Sequence, residues 1–334
     1  MLPRASQLPV INMNEIKIFC PATISNLSCG FDVLGLCLEG VGDEMIIRKS
    51  NKKGVHITKI IGADLPFETE KNVAGVAALS LLQAITKFNS HSLSSEVDVA
   101  VDSEIGFEIE IYKNIKAGSG IGSSSASASG AVFGINELLG KPFSAKQLVQ
   151  FAMQGEVLAS GSAHADNVAP CLLGGFTLVR GYNPLDIVEI PSPDLLFAVV
   201  IHPQIELKTS EMRAVLPKQI PLKSAITQWG NVGGLVAGLF LNDYELIGRS
   251  LIDVVVEPVR SKFIPEFIKL QQLASDNQAL GCGISGSGPS VFALTHGIEN
   301  AQKIANAFEK HFKTTDYDFE IHVSKVAKRG CRII

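Results

Sequence analysis

The chain has 334 residues, of which 46% are hydrophobic and 19% charged, a balance typical of globular proteins and not of disordered or fibrous ones. Its 33 acidic and 29 basic residues give a formal net charge of −4 without long runs of one sign, so we expect no nucleic-acid-binding or membrane-binding surface. The apolar stretches are shorter than the roughly 20 residues of a transmembrane helix and the start lacks a secretory signal, so we expect a cytoplasmic protein.

The length favours two domains. We treat residues 1–12 as an extension outside the fold and predict a first domain over residues 13–183 and a second over residues 184–334. The boundary is placed where prolines accumulate, in NPLDIVEIPSPD, because proline-rich exposed stretches are where few contacts cross between domains.

The first third of the chain predicts strands followed by a helix. EIKIFC alternates with period two, and DEMIIRKS and GVHITKII are strand candidates separated by the turn-like NKKG, which predicts antiparallel β-structure. KNVAGVAALSLLQAITKF has apolar residues at helical spacing, with Asn72 near its start. FEIEIYKNI alternates again, so a strand leads directly into a segment rich in glycine and serine.

That segment, KAGSGIGSSSASASG, starts at Lys116 and precedes a helix predicted over residues 126–139. A helix N-terminus offers unpaired backbone N–H groups and a partial positive charge, and glycines let an anion approach them. The serines at residues 123–125 add hydroxyl groups that can donate to a phosphate or offer an oxygen to a cation. The order of strand, glycine loop and helix therefore predicts a phosphate site.

Known glycine loops fit this segment poorly. A Walker A loop needs a lysine followed by serine or threonine after its last glycine, and a Rossmann fingerprint needs a third glycine where Ser123 stands. The protein-kinase loop comes with HRD and DFG partners, which the sequence lacks. A helix-capping nucleotide loop of another type remains, beside the alternative that the small residues only allow close helix packing.

The rest of the chain, after the glycine-rich segment, has patterns of both helices and strands. SAKQLVQFAMQGEVLAS is helical with Ser144 as its N-cap, and GGFTLV and LLFAVVIH are strands. PLKSAITQWGNVGGLVAGLFLNDYELIGRSLI and SKFIPEFIKLQQLAS predict helices, whereas GCGISGSGPSVFALT and FEIHVSKV predict strands.

Three segments, in order, resemble the motifs of the GHMP kinases. CPATISNLSCGFDVLGLCL at residues 20–38 is similar to the first motif, GSGIGSSSASASGA to the second and GCGISGSGPSVFAL at residues 281–294 to the third. Lys116 and Ala117 replace the proline usual at the start of the second motif, and Ile121 replaces a leucine. EVLASGSAHADN, KTSEMR and VVEPVR also resemble the branch of the family that phosphorylates L-homoserine.

The resemblance implies an α+β GHMP kinase fold of two domains, with the active site in the cleft between them. The N-terminal domain would be related to ribosomal-protein S5 domain 2, and the C-terminal domain would be ferredoxin-like. The implied activity is transfer of the γ-phosphoryl group of ATP, with Mg²⁺, to the hydroxyl of L-homoserine in threonine biosynthesis, by a homodimer. The alternatives are a GHMP kinase for another small alcohol and a non-catalytic nucleotide-binding sensor.

The resemblance also implies site residues. The nucleotide would contact Asn72, the loop residues Lys116, Ala117, Gly118, Ser119, Gly120, Ile121, Gly122, Ser123, Ser124 and Ser125, and Gly286 and Gly288. The metal ligands would be Ser124, with Ser123 as the alternative, and Glu156. The substrate pocket would contain Asn26, Asp32, His164, Asn167, Arg213 and Arg260. Within this pocket, Asp32 would bind the ammonium group of the substrate, and Arg213 and Arg260 would bind its carboxylate.

Three of these residues, Asn167, Ser124 and Glu156, would be catalytic. Asn167 stands where mevalonate kinase and galactokinase carry an aspartate that is taken as the base, and an amide cannot accept the hydroxyl proton. Because phosphoryl transfer depends mainly on alignment and charge neutralisation, we hypothesise that Asn167 orients the hydroxyl and that phosphate oxygens or water take the proton. Neighbouring Asp166 is the alternative base.

Overall fold

The computed structural model of the chain describes residues 14–91 and 105–334, with the backbone alone at 87–91. The extension predicted at residues 1–12 lies outside the described residues. The strands are β1 (Glu15–Ser25), β2 (Leu34–Ser50), β3 (Gly54–Ile61), β4 (Gly106–Tyr112), β5 (Phe176–Tyr182), β6 (Leu185–Ile190), β7 (Leu196–Pro203), β8 (Ala279–Ile284), β9 (Val291–His296), β10 (Phe319–Lys325) and β11 (Arg332–Ile333).

The α-helices lie between these strands along the chain, singly or in groups. They are α1 (Val73–His91), α2 (Ser123–Leu138), α3 (Ala145–Ser160), α4 (Val168–Leu173), α5 (Thr209–Ala214), α6 (Leu222–Leu241), α7 (Tyr244–Ser250), α8 (Glu257–Arg260), α9 (Phe267–Asp276) and α10 (Ile298–Phe312). None of the helices formed by the described residues combines the length and the apolar character needed to cross a bilayer.

The first sheet has the strand order β11-β1-β2-β4-β3, and β5 pairs with both β2 and β6. β1 and β2 are antiparallel, with Ile18 opposite Met45. The antiparallel structure predicted for this part holds for β1, β2 and β4, but β3 pairs in parallel with β4, which separates it from β2. Since parallel strands need a long crossover, α1 makes that connection.

Small residues let α2 lie directly on the first sheet. A Cβ at Gly130 would stand 2.3 Å from Sγ of Cys20 and 2.7 Å from Sδ of Met45. A Cβ at Gly134 would stand 2.5 Å from Cδ1 of Ile47. A side chain at either position would have to displace these core side chains or the helix, so the glycines help to set the depth at which the glycine loop is presented.

The second sheet is antiparallel, with the order β10-β7-β9-β8. Numbered within this part of the chain, the strands stand in the order 4-1-3-2, and helices precede β8 and β10. This is the ferredoxin-like βαββαβ arrangement that the resemblance implied. Its core includes Leu270 of α9 and Phe308 of α10, both fully buried.

The first sheet extends beyond the boundary predicted at residue 184. β6 begins at Leu185 and pairs with β5, so the predicted boundary falls inside a hairpin. Ile187 and Ile190 of β6 are buried, which explains why the strand stays with the first core. The chain reaches the second sheet only at Leu196, after the second group of prolines, and β11 returns to the first sheet beside β1.

A buried ion pair joins the first sheet to the glycine loop. Lys113 Nζ donates to Asp43 Oδ2, to the carbonyl oxygen of Ser123 at 2.9 Å and to Oγ of Ser127 at 3.2 Å. Oδ1 of Asp43 accepts from the backbone N–H groups of residues 114 and 115, at 2.7 and 2.8 Å. Because both charges are fully hydrogen-bonded, the pair can be buried, and it ties β2 to the entry of the loop and to α2.

We expect Asp43→Ala to lower the free energy of unfolding by about 3–5 kcal/mol, because it leaves the ammonium of Lys113 and two backbone N–H groups buried without partners. Urea denaturation measures the change. Glu44→Ala is the matched control on the same strand, because Glu44 pairs with Lys17 at the surface and its loss should cost less than about 1 kcal/mol. Equal losses in the two variants would contradict the prediction.

Candidate active site

A cleft of about 470 Å³ opens between the two sheet layers. The first layer contributes the end of β1, the segment before α1, the glycine loop before α2 and the loop between α3 and α4. The second layer contributes α5, α8 and the turn between β8 and β9. The three segments singled out in the sequence therefore meet at one cleft, as predicted.

The glycine loop leaves the N-terminus of α2 open toward the cleft. Gly122 precedes the helix with a φ of 74°, and no side chain caps the first turn. The serines predicted to belong to the loop form this first turn, since the helix begins at Ser123 and not at residue 126. Unpaired N–H groups and the helix dipole together favour an anion here, which is the predicted phosphate-binding geometry.

The turn between β8 and β9 packs against the glycine loop. Ser285 Oγ donates to the carbonyl oxygen of Gly120 at 2.7 Å, and the N–H of Ser290 donates to that of Ser119 at 3.2 Å. Gly120 has a φ of +84°, and a Cβ there would stand 2.6 Å from the carbonyl oxygen of Gly288 and 2.7 Å from that of Ser285. A side chain at position 120 would thus force the loop and the turn apart.

Glu156 of α3 reaches the first turn of α2. Its Oε1 accepts a 2.9 Å hydrogen bond from Oγ of Ser125, and the hydroxyl of Ser124 lies beside the carboxylate. Burial raises the pKa of Glu156, against the lowering effect of the two hydroxyls. No cationic side chain of the described residues pairs with Glu156. A buried carboxylate of this kind, in a cleft, fits a bound cation.

The two candidate serine ligands differ in their surroundings. Ser123 is buried, and its Oγ donates to the carbonyl oxygen of Ile115 at 2.9 Å. Ser124 lines the cleft beside Glu156. Among the side chains described at residues 14–86 and 105–334, no three histidine, cysteine, aspartate or glutamate groups cluster as they would around a metal ion. A cation bound here would therefore need further ligands from a nucleotide or from water.

An ion pair lies at the other end of the cleft. Two guanidinium nitrogens of Arg213 donate to the two oxygens of Asp32, at 2.9 and 2.7 Å. Nδ1 of His164 lies 3.8 Å from Oδ1 of Asp32, and its buried Nε2 has no partner among the described residues. Burial lowers the pKa of His164, so the imidazole is neutral at pH 7. The predicted ammonium-binding and carboxylate-binding groups thus neutralise each other.

Arg260 is a buried cation, only 2% exposed. Its Nε donates to the carbonyl oxygen of Met212 at 3.0 Å and its Nη1 to that of Gly286 at 3.1 Å. No carboxylate of the described residues forms an ion pair with it, and burial lowers its pKa to about 10, so it is still charged at neutral pH. The ring of Phe31 lies 5.2 Å from its guanidinium and 5.3 Å from that of Arg213.

The loop after β1 has an uncommon backbone conformation. Asn26, Leu27, Ser28 and Asp32 have φ values of 71°, 45°, 57° and 61°. Asn26 holds this loop, since its Oδ1 accepts from the N–H of Asp32 at 3.0 Å and its Nδ2 donates to the carbonyl oxygen of Gly286 at 2.7 Å. Such conformations are costly and persist where the surroundings enforce them, often at functional sites.

The amide of Asn167 is fixed on both sides. Its Oδ1 accepts from Oγ1 of Thr23 at 2.7 Å, and its Nδ2 donates to Oγ of Ser25 at 2.9 Å. Asn167 lines the cleft between the glycine loop and the ion pair. Each polar atom of the amide keeps one further hydrogen-bonding capacity, which a substrate hydroxyl could use.

Asp166 lines the same part of the cleft and is buried. Burial raises the pKa of its carboxyl to about 7, and the charges of Asp32 and Glu156 add to the rise. At neutral pH the group is therefore divided between its acid and its carboxylate forms.

Asn72 lies at the end of the cleft that is lined by Leu65, Pro66 and Val73. Its side chain caps the start of α1, because Oδ1 accepts from the N–H of Ala74 at 3.0 Å and Nδ2 donates to the carbonyl oxygen of Pro66 at 2.8 Å. These bonds leave the amide little freedom to turn toward a base, so its adenine contact stays a prediction.

Part of the predicted nucleotide contact lies outside the cleft. Lys116 turns away and bonds the side chain of Gln204, and Ile121 is buried in the hydrophobic core. The described residues that line the cleft do not include Lys116, Ser119, Ile121, Ser125 or Gly288. Successive residues of the loop point in different directions, so only some of a contiguous predicted segment can face a ligand.

Three contributors were missed from the sequence. Lys113 lines the cleft, and the alternation of Phe107, Ile109 and Ile111 could have placed it on the buried face of its strand extension. Phe31 stands between two arginines that are far from it in sequence. Thr23 donates the hydrogen bond that anchors Asn167, and no sequence pattern could have linked the two, because 144 residues separate them.

Family models match both halves of the chain. The model described as the GHMP kinases N terminal domain matches residues 81–175, and that described as GHMP kinases C terminal matches residues 235–314. The first match contains the glycine loop, and the second contains the turn between β8 and β9.

Full-length relatives agree with these models. A homoserine kinase of Chlorobium phaeobacteroides is 44% identical over 330 residues, covering 96% of this chain and 100% of that protein. The crystal structure of homoserine kinase from Cytophaga hutchinsonii is 48% identical with a TM-score of 0.88, covering 100% of both chains. The structure of L. major mevalonate kinase with R-mevalonate, at 15% identity and a TM-score of 0.68, shares the fold over 96% of this chain and 98% of that one. The chain belongs to the GHMP kinase family.

Proposed function

We propose that this protein is a homoserine kinase, which transfers the γ-phosphoryl group of MgATP to the hydroxyl of L-homoserine, in the cytoplasm and as a step of threonine biosynthesis. The two relatives named homoserine kinase, at 44% and 48% identity over almost the whole chain, support the proposal. The observation that carries it is the charge arrangement of Asp32, Arg213 and Arg260 in the same cleft as the open N-terminus of α2 and at its other end. A homodimer stays a prediction of the sequence resemblance.

An amino-acid zwitterion matches these charges. The ammonium of the substrate can replace Arg213 as the partner of Asp32. The carboxylate of the substrate can then pair with the guanidinium of Arg213, so both Asp32 and Arg213 keep an ionic partner. Arg260 then gains a carboxylate in place of carbonyl oxygens alone. A substrate with a carboxylate but no ammonium, such as mevalonate, would draw Arg213 away and leave Asp32 uncompensated, and a neutral substrate such as galactose would offer neither charge for the exchange.

The nucleotide would place its phosphates at the N-terminus of α2, with the adenine toward Leu65 and Pro66. Ser124 and Glu156 would hold Mg²⁺, which when bound neutralises the charge of the phosphates. The turn between β8 and β9 keeps the loop in shape, because Ser285 bonds the carbonyl oxygen of Gly120. Catalysis then comes mainly from alignment and from neutralised charge.

Asn167 would orient the substrate hydroxyl toward the phosphates. Thr23 and Ser25 hold its amide in one orientation, so the free hydrogen-bonding capacity points in a fixed direction. The hydroxyl proton would leave late, to a phosphate oxygen or to water. Asp166 is then a buried group that shapes the pocket and not the base.

The direct test of the proposal is ADP release by purified protein with MgATP and L-homoserine, with galactose, mevalonate and L-serine as controls. We expect turnover with L-homoserine alone. Turnover with another alcohol would support a different GHMP kinase, and nucleotide binding without any turnover would support the sensor.

We expect Asp32→Asn to lower kcat/KM for L-homoserine by about 10- to 100-fold, because one charge-assisted contact to the ammonium is lost. The preference for L-homoserine over 4-hydroxybutanoate, which lacks the amine, should fall in proportion. Steady-state assays with both alcohols measure this ratio. Asp276→Asn, at an exposed carboxylate on α9, is the control and should change neither value. An unchanged ratio in the Asp32 variant would remove this residue from ammonium recognition.

We expect Ser124→Ala to raise the Mg²⁺ concentration needed for half-maximal activity and for tight ADP binding, whereas Ser123→Ala should leave both unchanged. Ser123→Ala should instead lower stability by about 1 kcal/mol, through its bond to the carbonyl of Ile115. Because the pKa of Glu156 is raised, protons compete with the metal, so the Mg²⁺ requirement should increase as the pH falls. Calorimetric ADP titrations at several Mg²⁺ concentrations measure these effects. If Ser123→Ala raised the Mg²⁺ requirement and Ser124→Ala did not, Ser123 would be the metal ligand.

We expect Asp166→Asn to keep turnover within about tenfold of the wild type, since loss of a general base would cost about 100- to 10,000-fold. The folded pKa of Asp166, about 7, lies above its ordinary 3.8, so its contribution to stability is complete below 3.8 and is lost as the pH rises through 7. The variant should therefore gain stability relative to the wild type over that range. A large loss of turnover with substrate binding intact would make Asp166 the base.

A further inference from the structure

The ring of Phe31 contacts both arginines of the cleft. The guanidinium carbon of Arg213 lies over the ring at 5.3 Å from its centroid, and that of Arg260 lies over it at 5.2 Å. The arginines belong to α5 and α8 of the second layer, whereas Phe31 belongs to the loop between β1 and β2 in the first layer. One aromatic side chain of the first layer therefore meets two cations of the second.

These contacts have the geometry of cation–π interactions. A cation within about 6 Å of the ring centroid is attracted by the negative face of the ring, more strongly where water is excluded. Arg260 is buried, and Phe31 and Arg213 are partly buried. The two guanidinium groups also repel each other: after burial, the charge of Arg213 is the largest factor that lowers the pKa of Arg260. The shared ring offsets part of this repulsion.

Two neighbouring residues hold Arg213 in different ways. Asp32 accepts from its two terminal nitrogens, at 2.9 and 2.7 Å, and Phe31 contacts the guanidinium through its ring. Both belong to the loop that Asn26 fixes by accepting from the N–H of Asp32. The buried Nε of Arg213 has no hydrogen-bond partner among the described residues. The guanidinium can therefore change its ionic partner while the ring keeps it in place.

The partner exchange in the proposed function needs such a support. When the ammonium of the substrate takes Asp32, Arg213 loses the two hydrogen bonds that fix it. Its side chain is 34% exposed, so water competes for the released guanidinium. An arginine that turned into water would regain rotamer freedom, and this freedom would have to be lost again on binding the carboxylate. A ring that holds the guanidinium through the exchange lowers this cost.

We propose that Phe31 is a positioning residue for the carboxylate of the substrate. Its ring keeps the guanidinium groups of Arg213 and Arg260 in the pocket while Arg213 exchanges Asp32 for the carboxylate. This role rests on the proposed function and deepens it, because it names the group that prepares the two arginines for a zwitterion.

The first test removes the aromatic face. We expect Phe31→Leu to lower kcat/KM for L-homoserine by about 10- to 100-fold, mainly through a higher KM, because two cation–π contacts are lost. Phe31→Tyr keeps the face and should stay within about threefold of the wild type. The KM for MgATP should not change in either variant, since the nucleotide would bind at the other end of the cleft. Circular dichroism and thermal unfolding check that both variants are folded.

Fluorination of the ring separates the cation–π contribution from packing. Fluorine withdraws electron density from the face and changes the shape of the ring little. Phenylalanine with one, two and three ring fluorines, placed at position 31 by nonsense suppression, should lower kcat/KM stepwise, reaching about 10-fold with three. Phe19 is the matched control, because its ring lies 4.2 Å from the guanidinium of Arg332 and does not line the cleft. The same series at Phe19 should have no effect.

Two analogues of the substrate show which of its groups depends on the ring. 2-Amino-1,4-butanediol keeps the ammonium and the hydroxyl but lacks the carboxylate, so its inhibition constant should stay within about twofold across the series. 4-Hydroxybutanoate keeps the carboxylate, so it should bind more weakly with each added fluorine.

A flat fluorine series at Phe31, beside a loss of activity in Phe31→Leu, would overturn the proposal, because packing alone would then explain the loss. Equal sensitivity of the two analogues would overturn the role in positioning the carboxylate. A wild type that does not phosphorylate L-homoserine would refute the proposed function and this role with it. An active wild type with a flat series would refute the role of Phe31 alone.

Discussion

The close contact between the glycine loop and the turn before β9 is the constraint on which the site depends. It exists because Gly120 has no Cβ to separate its backbone from the carbonyl oxygens of Ser285 and Gly288. The contact brings the N-terminus of α2, which belongs to the first sheet layer, against the second layer. Without it, the phosphate-binding end and the arginines would belong to two separate surfaces, and no cleft would hold both.

The cleft contains charges that the protein itself leaves incomplete. Among the described residues, Arg260 is buried with carbonyl oxygens as its only hydrogen-bond partners, and Glu156 is buried with hydroxyl donors only. Asp32 and Arg213 neutralise each other at a partly exposed position. Buried or half-buried charges favour ligands that complete them, so the proposed function would place a zwitterion at one end of the cleft and a metal with phosphates at the other. Specificity and charge neutralisation then have the same physical origin.

Local pattern predicted the parts of the fold that depend on local forces. Ser144 begins α3 with the predicted cap, in which its side chain accepts from the N–H of Gln147. The segment of the third motif was predicted to be strand, and the structure confirms strands there as β8 and β9, joined by a turn. Pairing was predicted less well: β4 separates β2 from β3, and β6 stays with the first sheet, because strand neighbours depend on contacts that are distant in sequence.

The sequence by itself determined the family, and it predicted the phosphate loop and the residues for charge recognition, because these follow from residue type, spacing and motif order. Only the tertiary structure decided which of them face the cleft. Lys116 and Ile121 lie in the predicted loop but point elsewhere, whereas Phe31 reaches two arginines. Tertiary structure also left one side of α6 uncovered. The reason is geometric: a side chain's direction and its distant neighbours depend on how separate elements pack, and sequence spacing carries no record of that.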